Sequence, residues 1–133
     1  MNNLVVSGKR KTAIAKATIT EGVGKVTFNK RPLTFLSDLQ QLEINEPLVI
    51  AEDFLGKLNF DICLNIKGGG NASQIEAGRL AIAKAILKFT GDEELKKLFI
   101  AYDRNLVVAD TRRKEVCKPG DSKARSMRQT SFR

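Results

Sequence analysis

Histidine is absent from the 133 residues of this chain, and its absence removes several kinds of chemistry. Without an imidazole there is no histidine general base, no Ser-His or Cys-His nucleophile and no histidine metal ligand. Cysteine is scarce as well, because only Cys63 and Cys117 occur, far apart and outside a Cys-x-x-Cys spacing. A zinc site needs about four close ligands, so this chain cannot build a cysteine-based one alone. We expect both cysteines to be free thiols.

Long apolar runs are also missing, and no stretch approaches the roughly 20 apolar residues that a membrane span needs. The first four residues, Met1 to Leu4, lack the basic start and long apolar run of a signal peptide. We therefore expect neither a transmembrane nor a secreted protein. Apolar residues make up 42% and charged residues 29% of the chain, which is ordinary for a globular domain and too apolar for wholesale disorder. The length suits one domain, or one domain with a tail.

The net charge of +8 is unevenly distributed along the chain. Residues 1–35 carry seven bases and one acid, residues 36–110 carry eight bases and twelve acids, and residues 111–133 carry eight bases and two acids. The two ends are thus strongly basic and the centre is mildly acidic. Clustered lysine and arginine are typical of proteins that bind nucleic acid, since each neutralised phosphate releases counterions. An anionic membrane would favour a basic amphipathic helix, which the Pro119-Gly120 segment does not resemble.

The first third of the chain predicts antiparallel β-structure. From Thr12 to Thr20 small and β-branched residues alternate, which places Ala13, Ala15, Ala17 and Ile19 on one face of a strand. Residues 21–24 predict a turn, and residues 25–28 predict the returning strand of a hairpin. We expect residues 29–32 to break this pairing, because they end in Pro32.

The middle of the chain predicts two short helices followed by a strand. Ser37 can cap a helix over Asp38–Leu42, and Pro47 marks a second helix start that Gly56 ends. Residues 60–67 alternate between apolar and polar, which predicts a half-buried strand. Its polar face carries Asp61, Cys63, Asn65 and Lys67.

A helix over residues 71–89 follows three glycines, Gly68-Gly69-Gly70. Asn71 or Ser73 can cap it, and Ile75, Ile82, Ile86 and Phe89 form its apolar stripe. A second helix begins near Glu93, where acids favour the first turn, and buries Leu95, Leu98 and Phe99. The run Leu106–Ala109 is the last segment typical of a core. We therefore divide the chain into a globular domain, residues 1–110, and an extended basic tail, residues 111–133.

The tail has neither a strand nor a helix period, and it contains few large apolar groups. It cannot bury enough surface to offset its ordering entropy, so we expect it to be disordered alone and to order against RNA. Its bases recur every few residues, which suits an extended chain among phosphates. Phe132, beside Arg133, offers one ring on which a base could stack.

The triple glycine is the one feature that resembles an enzyme motif. A helix N-terminus attracts phosphate, and glycine permits close approach. However, neither the Walker loop nor the dinucleotide-binding pattern is present, because Gly8-Lys9 is followed by Arg10 and the sixth position from Gly68 is Ser73. A plain strand-to-helix turn and an RNA backbone contact are both open. A small phosphotransferase and a free nucleic-acid chaperone are both alternative functions for this chain.

Three segments together resemble one protein family. Gly8 to Ala17 resembles its opening motif, and Gly68–Gly70 with Gln74, Arg79, Ile82, Ala83 and Ala85 resembles its glycine-helix motif. Ala124-Arg125, Gln129 and Ser131-Phe132-Arg133 resemble its C-terminal tail. On these motifs the chain is identified as a member of the family of the ninth protein of the small ribosomal subunit, closer to the archaeal and eukaryotic branch. It departs from the family pattern at Ser73, Gly78, Lys84, Thr130 and Phe132.

The resemblance implies a two-layer α/β (α+β) domain, similar to the second domain of the ribosomal S-five protein, with helices packed on a four-stranded sheet. It implies a cytoplasmic, non-enzymatic role in the head of the small subunit, with small-subunit ribosomal RNA and neighbouring ribosomal proteins as partners. No cofactor, metal, membrane or small-molecule substrate is expected. The tail is implied to reach peptidyl-site transfer RNA through Gln129, Ser131, Phe132 and Arg133, with Arg133 at the anticodon-stem backbone.

Charge and resemblance together select the candidate RNA-binding residues. They are six of the seven bases of residues 1–35, seven of the eight bases of residues 111–133, the three glycines and one helix arginine: Lys9, Arg10, Lys11, Lys16, Lys30, Arg31, Gly68, Gly69, Gly70, Arg79, Arg112, Arg113, Lys114, Lys118, Lys123, Arg125 and Arg128.

Overall fold

The computed structural model describes residues 3–117, which form one sheet with helices on one of its faces. The strands are β1 (Leu4–Arg10), β2 (Ala13–Glu21), β3 (Val26–Phe28), β4 (Arg31–Pro32) and β5 (Phe60–Lys67). The helices are α1 (Asp38–Leu55), α2 (Asn71–Thr90) and α3 (Glu93–Tyr102), with 3-10 turns at Leu33–Phe35 and Arg104–Leu106. This is the expected α+β two-layer domain, of the kind found in the ribosomal S-five protein.

The sheet has five strands in the order β1-β2-β5-β3-β4, one more than expected. The additional strand is β4, which spans only two residues at the edge of the sheet. Asn29 and Lys30 both have a positive φ, which suits a tight two-residue hairpin turn, so β3 pairs with β4 across it. The expected break at residues 29–32 is therefore wrong. Pro32 is tolerated because an edge strand need not donate a hydrogen bond on both sides.

The predicted hairpin between β2 and the 25–28 segment is also wrong. β2 pairs antiparallel with β1 on one side and with β5 on the other, whereas β3 pairs parallel with β5. The first strand, β1, was not assigned from the sequence, because its apolar run is short and ends in bases. The long β5, buried on one face, occupies the position beside β2 that the hairpin required.

Helix α1 is one continuous helix rather than two short ones. Ser37 is its N-cap and forms a capping box with Gln40, and Gly56, with φ 79°, ends it as predicted. Pro47 lies inside the helix and is buried. A proline here removes one backbone hydrogen bond, but the buried residues on both sides of it hold the helix to the core. They are Ile44, Leu48 and Ala51.

The core lies between one face of the sheet and the helices. The predicted inward residues of β2 are fully buried, as are the alternating apolar residues of β5. Helix α2 supplies Ile75, Ile82 and Ile86, while Phe89 at its end is 38% exposed and packs edge-on to Phe60. Leu95 and Phe99 of α3 are buried, but Leu98 is 44% exposed, against expectation. Within residues 3–117, no helix covers the opposite face of the sheet.

Close packing between β1 and α2 requires a glycine at position 8. A Cβ atom added to Gly8 would lie 2.5 Å from the Ala77 carbonyl oxygen and 2.8 Å from the Ala81 nitrogen. Both atoms belong to the backbone of α2, so neither can rotate away. Gly8 of the opening motif is therefore needed for strand-to-helix contact.

Candidate nucleic-acid interface

The uncovered face of the sheet carries lysines from three adjacent strands. Lys9 of β1 and Lys67 of β5 stand on either side of Ile14 of β2, and Lys16 lies two residues further along β2. All three lysines are exposed. Because neighbouring strands lie about 4.8 Å apart, these side chains emerge within roughly 10 Å of one another. The cluster presents cationic groups at the spacing of nearby phosphates.

Lys30 joins this cluster from the turn between β3 and β4. It lines a shallow groove together with Cys63, Asn65 and Lys67 on the open side of β5. We call Lys9, Lys16, Lys30 and Lys67 the basic face. No helix covers it within residues 3–117.

Asp61 lies at the other end of β5, and its carboxylate is engaged by the backbone. The N–H groups of Lys25 and Val23 donate to Asp61 Oδ1 at 2.7 and 3.0 Å. These bonds, that from Lys25 above all, hold the pKa of the Asp61 carboxyl below its ordinary value. Asp61 therefore holds the 21–25 turn in place and stays ionised at neutral pH.

The triple glycine lies against the turn between β1 and β2. Gly68 and Gly69 both have a positive φ, and a Cβ on Gly69 would lie 2.8 Å from the Cβ of Ala13. A Cβ on Gly68 would lie 2.7 Å from the Thr12 carbonyl oxygen. Two of the three glycines are thus required by the strand-to-helix turn itself. The same contacts bring the opening motif and the glycine motif together in space.

Gly70 differs from its two neighbours. Its φ is −99° and no atom lies within 4 Å of the position of a Cβ. Gly70, and not Asn71 or Ser73 as expected, is the N-cap of α2, and it offers no side-chain acceptor. The amino end of α2, with its partial positive charge, follows the end of β5 next to the β1–β2 turn, in which Lys11 is exposed and has a φ of 52°. This end of the domain attracts anions.

Arg10, predicted to bind RNA, is used inside the protein. Its guanidinium bonds to Glu76 of α2, and its Nη1 lies 3.2 Å from Asp110 Oδ2. Its side chain is only 13% exposed. Arg10 therefore connects β1, α2 and the segment that follows the last 3-10 turn.

Arg79 has a similar internal position. Its Nη2 lies 2.5 Å from Glu46 of α1 and 3.1 Å from Asp103, which follows α3. Its side chain is 19% exposed. Arg79 thus connects three helical elements, and little of its surface is available to a partner.

The segment after Leu106 begins with a local ion pair. Arg112 donates to both carboxylate oxygens of Asp110, at 2.8 Å for the Nη2 bond, and its backbone N–H donates as well. These bonds hold the pKa of Asp110 well below its ordinary value and raise that of Arg112. Arg112 is still 80% exposed, so it can meet a phosphate on its outer side. Arg113 and Lys114 are also exposed.

The remaining candidates lie at two other places. Arg31 is exposed at the edge strand, with its guanidinium 4.5 Å from the centroid of the Phe35 ring. Residues beyond Cys117 lie outside the described part of the chain, and among them are the predicted RNA and transfer RNA contacts Lys118, Lys123, Arg125, Arg128, Gln129, Ser131, Phe132 and Arg133.

Lys67 is a member of the basic face that the sequence interpretation did not select. The alternation along residues 60–67 placed it on the polar face, yet nothing in the sequence showed that β5 lies beside β2. Once that pairing is known, Lys67 lies in one row with Lys9.

Other chemistry is sparse in the described part of the chain. Cys63 and Cys117 are both free and exposed. Residues 3–117 contain no group of three or more cysteine or carboxylate side chains arranged to hold a metal ion. The helices of this segment are too short or too polar to cross a bilayer.

The sheet order, the helices on one face and the contact between the opening motif and the glycine motif define an α+β domain of the S-five kind. The family model described as ribosomal protein S9/S16 matches residues 8–133, and the chain belongs to this family. The small ribosomal subunit protein uS9 of Methanococcus vannielii is 46% identical over 129 residues, which cover 95% of each chain. The uS9 protein of Methanococcus maripaludis strain C7 is also 46% identical, over the same share of both chains.

Membership in this family establishes the general role. The chain is a structural constituent of the small ribosomal subunit and not an enzyme. The phosphotransferase alternative suggested by the triple glycine is therefore set aside.

Proposed function

We propose that the basic face and the adjoining glycine-loop end bind small-subunit ribosomal RNA. The observation that carries the proposal is the open sheet face, on which Lys9, Lys16, Lys30 and Lys67 are exposed while no helix of residues 3–117 packs against them. Lysine ammonium groups bind phosphate oxygens as mobile point charges, which suits contact with a backbone of variable path.

The distribution of charge between the two layers supports the same orientation. Helix α1 contains five acids and no base, and it lies on the layer opposite the basic face. RNA is therefore attracted to the sheet side and repelled from α1. Arg10 and Arg79 serve this function indirectly, because they hold the layers together, and we assign them no phosphate contact.

The amino end of α2 extends the proposed interface. Gly70 leaves space beside the first turn of the helix, and a phosphate placed there would meet backbone N–H groups. Arg112, Arg113 and Lys114 continue the contact into the C-terminal segment. The body of the domain is residues 1–110 and the tail is residues 111–133, a division supported by the lack of regular structure over residues 111–117.

A salt titration tests the RNA proposal. The full chain is titrated with a small-subunit ribosomal RNA fragment between about 50 and 200 mM KCl. If about six phosphates are neutralised, the log–log slope is about −5, with the duplex DNA coefficient as a guide. Lys16→Gln and Lys67→Gln should each reduce the slope by about 1. Lys97→Gln on α3 is the matched control. Equal effects of all three substitutions, or a flat salt dependence, contradict the proposal.

The tail is proposed to reach peptidyl-site transfer RNA within a cytoplasmic small subunit. The support is the family match, which runs to Arg133, and the bases that recur through residues 118–133. We propose Gln129, Ser131, Phe132 and Arg133 as the contacts.

Deletion of residues 129–133 tests the transfer RNA contact. Subunits that carry the shortened chain should assemble but bind peptidyl-site transfer RNA more weakly, as measured by filter binding. Arg133→Lys should be milder than Arg133→Glu, because it keeps the charge and loses only the planar fork. Unchanged transfer RNA affinity after the deletion would refute this contact without affecting the RNA proposal for the basic face.

A further inference from the structure

The side of α1 that faces away from the core carries three large apolar side chains. Leu39 is 75% exposed, Leu42 is 65% exposed and Val49 is 53% exposed. At 3.6 residues per turn these three positions lie within one side of the helix. We call them, together with Glu43 and Asp53 between and beside them, the outer face of α1.

This outer face is acidic as well as apolar. The acids of α1 are Asp38, Glu43, Glu46, Glu52 and Asp53, and the helix has no lysine or arginine. Glu46 pairs with Arg79, but the other four form no ion pair within residues 3–117. The exposed apolar groups therefore lie on a helix with an excess of negative charge, of which Glu43 also lines the groove that holds Arg10, Arg79 and Arg112.

The negative charge of α1 limits the kinds of partner that can bind to its outer face. Isolated exposed leucines are common on soluble proteins, but several on one helix face indicate an interaction surface. RNA would place phosphates against four carboxylates, so it is repelled. A second copy of the chain would bring the same acids against each other, so self-association through this face is also disfavoured.

We propose that the outer face of α1 docks a basic, apolar-bearing segment of another protein of the small subunit. The partner's apolar side chains cover Leu39, Leu42 and Val49, and its lysine or arginine side chains meet Glu43 and Asp53. The proposal rests on the proposed function in that it assumes the sheet side, and not the helix side, faces RNA. It assigns the two layers of the domain to two classes of partner.

Site-specific photocrosslinking in assembled small subunits tests this assignment. The full-length chain carries p-benzoylphenylalanine in place of Leu42, and a matched variant carries it in place of Lys16 on the basic face. We expect position 42 to crosslink to a ribosomal protein, at a peptide of net positive charge identified by mass spectrometry. Position 16 should crosslink to ribosomal RNA. A crosslink from position 42 to RNA, to residues 111–133 of the same chain, or to nothing overturns the proposal.

Reversal of the charge at two acids of the outer face of α1 provides a second test of the docking proposal. Glu43→Lys combined with Asp53→Lys should reduce the crosslink from position 42 roughly tenfold or more, because like charges then face each other. Glu93→Lys combined with Glu94→Lys on α3 is the control and should leave the crosslink unchanged. Equal yields in both double variants contradict the proposal, provided that thermal unfolding shows both to be folded.

These experiments distinguish the docking proposal from the proposal that the basic face binds ribosomal RNA. Leu42→Ser should leave the affinity of the free chain for ribosomal RNA within twofold while abolishing the protein contact. If position 16 fails to crosslink to RNA but position 42 crosslinks to a basic peptide, the proposed function fails and the docking face stands.

Discussion

Arg10 Nη1 of the first strand lies 3.2 Å from Asp110 Oδ2, at the point where regular structure ends. The same guanidinium bonds to Glu76 of α2, so one side chain ties the first strand, the longest helix and the start of the C-terminal segment together. Asp110 is in turn held by Arg112. Arg10, a residue of the opening motif, thus positions residues 110–112, where the basic C-terminal segment begins.

Replacement of Arg10 should leave residues 110–112 less firmly held. In Arg10→Gln the carboxylates of Glu76 and Asp110 lose their shared cation, and Asp110 is less firmly placed to accept from the Arg112 N–H. We expect the Arg112 amide to exchange its hydrogen faster, by roughly two- to tenfold, as for the loss of one hydrogen bond. Exchange measured by NMR checks this, with the exposed neighbour Lys9→Gln as the control. Equal exchange in both variants would show that Arg10 does not hold this segment.

Gly8 should tolerate no side chain. In Gly8→Ala the new Cβ meets the Ala77 carbonyl oxygen and the Ala81 nitrogen of α2, which are backbone atoms. Relief requires β1 or α2 to shift, and overpacking of this kind costs about 1–3 kcal/mol. The free energy of unfolding in urea measures the loss. Ser7→Ala, at the adjacent exposed position, should change the free energy little, and an equal loss in both would exclude the packing explanation.

Acid should weaken the fold through two aspartates. The folded-state pKa values of Asp61 and Asp110 lie below the ordinary value, which is about 3.9. A group with a lowered pKa stabilises the fold at pH values above the unfolded pKa, and this contribution is lost as pH falls through the folded pKa. We therefore expect the free energy of unfolding to decrease as the pH is lowered from about 5 to 3.

Asp61→Asn isolates one part of this pH dependence. The variant should be less stable than the parent at pH 6, since its side chain carries no charge for the Lys25 and Val23 N–H groups, and the difference should shrink as the pH falls through the lowered pKa of Asp61. Urea unfolding at several pH values checks this. Glu52→Gln, at an exposed acid of α1, is the control, and parallel pH profiles for Asp61→Asn and the parent would contradict the assignment.

Substitutions at Gly70 distinguish an effect on helix capping from an effect on RNA binding. Gly70→Asp places a capping carboxylate at the amino end of α2, where open space surrounds it, and should stabilise the fold by a few tenths of a kcal/mol. The same carboxylate would repel a phosphate, so RNA affinity should fall. Gly70→Ser caps the helix without a charge and is the control. If both variants bind RNA equally well, no phosphate approaches this helix end.

Much of the fold could be predicted from local patterns. Alternation placed the inward residues of β2 and β5, capping signals placed the two ends of α1, and the apolar stripe placed the body of α2, because these features depend on neighbours in sequence. Pro47 misled the prediction of α1, since a proline inside a helix is tolerated when buried residues on both sides hold it to the core. β4 was missed because two residues leave no periodic pattern.

Strand order could not be predicted in the same way. No local sequence pattern indicates that β5 lies between β2 and β3. The strand order depends on which of several distant segments pairs with the free edge of β2. For that reason Lys67 was missed as part of the basic face, while Arg10 and Arg79 were selected from their charge and from the family motifs. Their use in ion pairs depends on Glu76, Asp103 and Asp110, whose proximity only the fold reveals.

The insertion of β5 between β2 and β3 has a consequence for biosynthesis. As the chain emerges during translation, β1 and β2 can pair at once, but the other edge of β2 finds its partner only after residues 60–67 have left the exit tunnel. Until then an open edge from Ile14 to Glu21 is available to wrong partners. A truncated product that ends before Phe60 retains this edge permanently and is the form of the chain most prone to aggregate.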